Sequence, residues 1–200
     1  MVSADEQDNT NPSGNELDLE LLSRIADGDR TALARLYQRY YSPLLSFIHR
    51  LTGDLDAAQE AVNDTMLVVW TSAARFGGRS RVSTWIMGIA YRKAMKLSAR
   101  LRRWNLRFKA ADWDKVVEPK AGVEGLTDEL ADRDMLHRAI RRLPPKQRAV
   151  VELTYVFGYS YEEVAEIVQC HHNTVKTRMF HARRRLRQML PQLGFRQDGD

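Results

Sequence analysis

Apolar residues recur three or four positions apart along most of this chain, and no stretch of useful length alternates apolar and polar residues. The first spacing is that of a helix with one buried side, whereas alternation is typical of a strand. We therefore predict an all-α fold. Because the helical stripes fall into two groups separated by a polar stretch, we expect two small helical domains joined by a flexible linker.

Composition sets the predicted boundaries. The first residues are polar and acidic with little to bury, which predicts disorder, and residues 110–129 contain six acids with only weak periodicity, which is typical of a linker. The predicted divisions are a disordered N-terminus (1–16), a first helical domain (17–109), a linker (110–130), a second helical domain (131–191) and a C-terminal tail (192–200).

The overall charge and the cysteine content limit the class of protein. The net charge of +5 permits a polyanionic partner. Cys170 is the only cysteine, so no intramolecular disulfide can form, which fits a reducing compartment. The N-terminus lacks the apolar core of a signal peptide, and the longest apolar runs, such as Met66–Trp70, are far too short to span a bilayer. We expect a soluble cytoplasmic protein.

The strongest local motif is a helix-turn-helix near the C-terminus. The stretch "SYEE" at 160–163 is a capping box that starts one helix, in which Ser160 is the N-cap and Glu163 reaches back. A turn at 170–172 follows, and Asn173 or Thr174 is expected to cap the last helix, 173–190. The pattern is that of a recognition helix with an apolar back.

That last helix is unusually basic. Residues 171–190 contain six Lys or Arg, three His and no acid, although like charges at i,i+4 repel. The alternative is an amphipathic surface helix whose cations are merely solvated. The capping box, the short turn and the absence of acids together favour contact with DNA. The residues predicted to face outward are Lys176, Thr177, Phe180, His181, Arg183, Arg184 and Arg187.

A second acid-free stretch runs over residues 92–109, with Trp104 and Phe108 among its cations. Interleaved aromatic and basic residues suit single-stranded DNA, because charge follows the backbone and rings stack on exposed bases. Trp85 and Tyr91 lie just upstream, and the alternative for both is a place in the core.

Four segments of the chain together resemble the extracytoplasmic-function (ECF, group IV) sigma factors of the sigma-70 family. "YSYEEVAEIVQCHHNTVKTRMFHARRRLRQML" is similar to the family's C-terminal helix-turn-helix, and "LPPKQRAVVEL" to the helix before it. "AAQEAVNDTMLVVW" resembles the polymerase-binding helix, and "FGGRSRVSTWIMGIAYRKAMK" the promoter-melting segment. The resemblance covers residues 17–108 and 128–191, which would be sigma regions 2 and 4.

The resemblance implies a promoter-specificity subunit. Region 4 would read the −35 element as duplex through Lys176, Thr177, Arg178, Phe180, His181, Arg183 and Arg184. Region 2 would read and open the −10 element through Trp85, Tyr91, Arg92, Lys93, Lys96 and Arg100. It would dock on core polymerase through Glu60, Asn63, Asp64 and Leu67, of which the first three also share one helical face by spacing.

Several positions depart from the family pattern. Arg92 stands where Asn is common, and Asn63 and Asp64 replace the usual Gln and Glu. Met66 stands in place of an aromatic residue and Val68 in place of a cation. The turn carries His171-His172 where the family has Pro and a small residue, which bears on how the recognition helix is placed.

The implied partners are core RNA polymerase, promoter DNA and an anti-sigma factor. On the polymerase, the contacts would be the clamp helices of the largest subunit and the flap of the second-largest. We expect no catalysis, no small-molecule substrate and no cofactor. We also expect no metal site, because the adjacent residues Cys170, His171 and His172 cannot easily converge on one ion. The alternatives are an autonomous helix-turn-helix regulator and a sigma-like interaction module that is sequestered by a partner.

Overall fold

The computed structural model describes residues 12–108 and 128–191, and every regular element within these ranges is helical. The elements are α1 (Pro12–Ala26), α2 (Arg30–Thr52), α3 (Leu55–Ser72), a short 3-10 helix (Ala73–Arg75), α4 (Val82–Phe108), α5 (Asp128–Arg141), α6 (Pro145–Tyr155), α7 (Tyr161–Ile167) and α8 (His172–Met189). The predicted all-α class is confirmed. None of the helices in these ranges is long and apolar enough to cross a membrane.

Caps fix the helix boundaries in the amino-terminal half, α1–α4. Asp29 accepts hydrogen bonds from the backbone N–H groups of Thr31 (2.7 Å) and Ala32 (3.1 Å), and Asp54 accepts one from that of Ala57 (3.0 Å). The guanidinium of Arg24 holds Asp29 at 2.7 Å and lowers the pKa of that carboxyl. Gly53 ends α2 with φ of 75°, a left-handed conformation that a glycine adopts without steric cost.

Two predicted boundaries were wrong. The first helix begins at Pro12 rather than after residue 16, because a proline is tolerated in a first turn and the Asn15 side chain accepts a hydrogen bond from the backbone of Val82 (3.2 Å). The helix before Leu143 begins at Asp128, inside the predicted linker. Residues 1–11, residues 109–127, which include most of the predicted linker (110–130), and the tail (192–200) lie outside the described residues.

The core of the amino-terminal half forms where α2, α3 and α4 meet and α1 covers them. Phe47 and Ile48 of α2, Val62 of α3 and Ile86 of α4 are fully buried in it. Asp18 of α1 is also buried, with its carboxylate 2.9 Å from Nε of Arg39 and hydrogen-bonded by the Tyr40 hydroxyl, so its charge is compensated. Helix α2 runs without a break through Pro43.

The carboxy-terminal half, α5–α8, packs directly on the amino-terminal half. Helix α7 lies on α4, and α6 lies on α2. The rings of Phe47 and Phe157 meet edge to face at 5.6 Å, and Arg148 donates to the carbonyl oxygen of Arg50 at 3.4 Å. Sequence analysis predicts two domains but gives no sign of this contact. We call this packing of the two halves the closed arrangement.

A buried carboxylate lies at the junction of the halves. Glu152 of α6 is 2% exposed, and its Oε2 atom is 3.5 Å from Nη1 of Arg50. Burial raises the pKa of Glu152, although Arg50 and Arg148 oppose the shift. Arg148 is itself shielded from water, which lowers its pKa. The ionised pair is therefore incompletely compensated in this position.

Glu152→Gln is expected to change how stability depends on pH. Because the folded chain binds this proton more tightly than the unfolded chain, the contribution of Glu152 is largest below its ordinary pKa of 4.5 and is lost as the pH rises through the raised pKa. The melting temperature of the variant, measured by circular dichroism, should therefore increase relative to that of wild type as the pH rises from 4.5. Glu166→Gln, on the exposed side of α7, is the matched control. A difference in melting temperature between variant and wild type that is the same at every pH would contradict the raised pKa of Glu152.

Candidate nucleic-acid interface

Histidines define the start of α8. The side chain of His171 is the N-cap, and its Nδ1 atom accepts a hydrogen bond from the backbone of Asn173 at 3.2 Å. The expected caps, Asn173 and Thr174, lie inside the first turn instead. An imidazole nitrogen is a good acceptor, so the histidine replaces the usual Ser or Asp here.

Local contacts fix the start of α7 and the turn that follows its other end. Ser160 and Glu163 form the predicted capping box, which is confirmed with bonds of 3.2 and 3.0 Å. Gln169 adopts a positive φ of 51°, and His172 lies 3.1 Å from the carboxylate of Glu162 on α7. His172 therefore ties the two helices together, and the two unusual histidines give the turn a definite geometry.

Helix α8 has the predicted apolar back and polar front. Val175, Met179 and Ala182 are buried against the rest of the carboxy-terminal half. The seven residues predicted to face outward are all exposed: Lys176, Thr177, Phe180, His181, Arg183, Arg184 and Arg187. Helix α8 thus presents a continuous basic face with an aromatic ring, because Phe180 is 63% exposed.

Two outward residues are already oriented by neighbours. The hydroxyl of Thr177 donates to the carbonyl oxygen of Asn173 at 2.9 Å. Arg183 lies over the ring of Tyr155, with 5.7 Å between its Cζ atom and the ring centroid, and donates to the Tyr155 hydroxyl from Nε at 3.1 Å. This hydrogen bond raises the pKa of Arg183, which stays charged. Sequence reasoning missed Tyr155, an exposed aromatic at the end of α6.

Arg178 occupies a different place from the other predicted DNA contacts. Its side chain is half-buried, and its Nη1 atom is buried without a hydrogen-bond partner among the described residues. It acts electrostatically on the hydroxyl of Tyr91 in α4. In the closed arrangement Arg178 therefore lies toward the amino-terminal half and not on the exposed face of α8.

A basic cavity beside α8 adds residues that the sequence did not single out. The cavity has a volume of about 440 Å³ and combines Arg142, which directly follows α5, with His181, Arg184 and Arg185. Converging guanidinium groups are suited to phosphate oxygens. The sequence gives no sign of this role for Arg142, because the position of Arg142 beside α8 depends on how α5 packs against α8.

The predicted docking residues lie together on α3. Glu60, Asn63, Asp64 and Leu67 are all exposed, and Leu67 is 61% exposed although it is apolar. The Tyr37 hydroxyl donates to Asn63 at 2.9 Å, and Lys93 of α4 lies 2.9 Å from the Asp64 carboxylate. The face thus combines acceptors with an exposed leucine, which suits a protein partner.

A groove of about 210 Å³ between α3 and α4 brings two predicted sites side by side. One wall carries Glu60 and Asp64, and the other carries the predicted DNA-binding cations Lys93, Lys96 and Arg100. The three cations therefore adjoin the docking face, on one side of α4.

The other predicted single-strand residues lie elsewhere on α4. Trp85 is half-buried, with its ring 5.2 Å from that of Phe76. Tyr91 is only 7% exposed, and burial raises the pKa of its hydroxyl. Arg92 is exposed, but its guanidinium lies over Gly88 close to α7, and burial there lowers its pKa.

Comparison with known families finds two matches in the order expected from the sequence. Residues 36–104 match the model for sigma-70 region 2, and residues 133–186 match the model for sigma-70 region 4. Together these segments cover more than half of the chain.

Similar proteins span nearly the whole chain. RNA polymerase sigma-H factor of Pseudomonas aeruginosa is 32% identical over 84% of this chain and 91% of its own length. The ECF RNA polymerase sigma factor SigK of Mycobacterium tuberculosis is 28% identical, covering 90% of this chain and 98% of the relative. Among solved structures, CnrH in complex with the cytosolic domain of CnrY has a TM-score of 0.64 and 19% identity, covering 88% and 97% of the two chains. RpoE in complex with the anti-sigma factor NepR from Bartonella quintana has a TM-score of 0.55 and 24% identity over 78% and 97%.

Proposed function

This chain is an ECF sigma factor of the sigma-70 family, a non-catalytic subunit that directs RNA polymerase in transcription initiation, and from that premise we propose which of its surfaces makes each contact. The observation that carries the proposal is that the chain exposes two different faces, one with carboxylates on α3 and one with cations on α8. A subunit that joins an enzyme to a duplex needs both.

We assign the α3 face to core polymerase. Asp64 and Glu60 provide carboxylates for cations of the clamp helices, and the exposed Leu67 provides apolar area at the centre of the contact. Lys93 holds Asp64 before docking, at 2.9 Å. Because such an exposed pair contributes little to stability, it is readily exchanged for a pair with the polymerase.

We assign the exposed face of α8 to the −35 duplex. Lys176, Thr177 and Phe180 lie in the half of the helix nearest its N-terminus, the part that reaches base edges in this class of motif, and His181 follows directly. Lysine bonds guanine edges, and an aromatic ring contacts the methyl group of thymine. Arg183, Arg184 and Arg142 hold phosphates and set the register of the helix.

We assign the −10 element to α4. Lys93, Lys96 and Arg100 follow the backbone of the opened strand, while Trp85, Tyr91 and Arg92 contact its unstacked bases. The arginine at position 92, where the family commonly has Asn, can both stack and donate hydrogen bonds. The guanidinium group of Arg92 is wider than the side-chain amide of an Asn, so it favours a different captured base from the one that an Asn would hold.

An anti-sigma factor is the proposed regulator. CnrH and RpoE, which share this fold, were solved with CnrY and with the anti-sigma factor NepR. We propose that this chain also has such a partner, which competes with polymerase for the amino-terminal half.

Asp64→Arg should prevent assembly with core polymerase. The substitution places a cation where clamp cations dock and next to Lys93, so co-elution with purified core polymerase and promoter-dependent transcription should both be lost. Asp27→Arg, an exposed acid in the α1–α2 turn, is the matched control and should behave as wild type. Unchanged co-elution of Asp64→Arg would refute the docking face. A specific footprint by the wild-type chain without polymerase would favour an autonomous regulator.

Lys176→Ala and Arg142→Ala should weaken promoter use in different ways. Loss of a base contact costs about 1–3 kcal/mol on promoters that carry the contacted base and leaves promoters already altered at that position unaffected. Loss of a phosphate contact weakens binding about equally across sequences and reduces the slope of log affinity against log salt by about 0.9. The measurement is holoenzyme binding to a set of −35 variants at several salt concentrations. Identical profiles for the two variants would contradict the sorting of contacts.

A further inference from the structure

The fold leaves the ring of Tyr155 in solvent. Tyr155 is the last residue of α6 and is 59% exposed, so its ring adds little to the core. Its backbone is nevertheless fixed, because Glu152 and Leu153 just before it are buried. The carbonyl oxygen of Leu153 also accepts a hydrogen bond from the N–H group of Tyr159 at 3.0 Å. Tyr155 is therefore an exposed ring on a fixed support.

Arg183 of α8 lies against that ring. Its Cζ atom is 5.7 Å from the ring centroid, within the range of a cation–π contact. Its Nε atom donates to the Tyr155 hydroxyl at 3.1 Å, and its Nη2 atom donates to the same oxygen. Because Met179 and Ala182 are buried, the packing of α8 on α6 sets where Arg183 begins.

This contact uses only one edge of the guanidinium group. An arginine has five N–H donors in a planar fork. The Tyr155 hydroxyl accepts from Nε and from one N–H of Nη2, which together form the side edge of that fork. The donors that remain include one or more on each terminal nitrogen, which is the pair that a bidentate contact with a phosphate needs. The tyrosine therefore holds the guanidinium and leaves its phosphate-binding edge free.

Both residues belong to the carboxy-terminal half. The contact joins α6 to α8 and involves no residue of α1–α4. Its geometry therefore depends on the packing inside one half and not on how the two halves are arranged. We expect the same contact in the free chain and in the holoenzyme.

We propose that Tyr155 is a positioning residue for DNA binding: it holds the guanidinium of Arg183 in the orientation in which that group meets a phosphate of the −35 duplex. Tyr155 acts through Arg183 and not by its own contact with the duplex. This inference rests on the proposed assignment of Arg183 to a phosphate.

The consequence is a smaller entropic cost of binding. A free arginine side chain populates many rotamers, and holding it in one of them on the duplex costs affinity. Tyr155→Phe keeps the ring and removes the hydroxyl, so it should weaken binding of the holoenzyme to promoter DNA by about two- to tenfold. The number of phosphates contacted should not change. The slope of log affinity against log salt should therefore stay at its wild-type value.

A double-mutant cycle tests whether Tyr155 acts through Arg183. Purified holoenzymes that carry Tyr155→Phe, Arg183→Ala or both are titrated with a promoter duplex at several salt concentrations. Arg183→Ala should weaken binding and reduce the slope by about 0.9. Adding Tyr155→Phe to Arg183→Ala should cause no further loss, because the group that the hydroxyl holds is gone.

Arg187→Ala provides the matched background. Arg187 is an exposed cation of the same helix, about one turn beyond Arg183. In this background the guanidinium of Arg183 is intact, so Tyr155→Phe should still weaken binding by about two- to tenfold. The effect of the hydroxyl should thus disappear with one arginine and survive the loss of the other.

Unchanged affinity of Tyr155→Phe would overturn the proposal. An equal loss from Tyr155→Phe with and without Arg183 would also overturn it, because the hydroxyl would then contact the duplex itself or support the fold. Neither result bears on the assignment of Arg183, which the salt slope of Arg183→Ala tests separately. A wild-type affinity and slope for Arg183→Ala would instead refute the proposed phosphate contact, and the positioning role with it.

Discussion

The packing of α7 against α4 determines which surfaces of this sigma factor are available. Helix α4 has 27 residues and contacts α1, α2, α3, α6 and α7. One side completes the amino-terminal core, a second lines the groove with α3, and a third lies under α7. In its first half only a few residues, such as Arg92, stay exposed, and a ligand that needs the side at Gly88 and Tyr91 must displace α7.

The interface between the halves combines apolar contact with poorly compensated charge. Phe47 and Phe157 exclude water, but Glu152 is buried with a raised pKa, and Arg178 has a buried nitrogen without a hydrogen-bond partner among the described residues. Burying incompletely paired charges costs free energy that apolar contact has to offset. An interface of this kind holds two folded units together and still separates when a partner offers better contacts.

Sequence predicts the local features of this molecule well. The capping box at Ser160–Glu163 and the buried stripe of α8 both depend on residues within one or two turns, and each is confirmed. The fold class followed from local periodicity, which sets which side of each helix is buried. The family followed from the resemblance of four local segments in the right order.

Features that depend on the approach of distant helices were not predictable. The periodicity of α4 marks Tyr91 and Gly88 no differently from other positions, yet these are where α7 lies. Arg142 and Tyr155 likewise gain their place beside α8 only through tertiary packing. The N-cap by His171 was missed for a local reason, because histidine is an uncommon cap.

The central claim is that the two halves are closed in the free chain and separated on polymerase. It is tested most directly by the distance between spin labels at Gln38→Cys on α2 and Gln188→Cys on α8, both exposed positions, in a chain with Cys170→Ala. We expect one narrow distribution of distances for the free chain and a longer mean distance after core polymerase is added. The same distribution in both states, or a broad one in the free chain, would contradict the account.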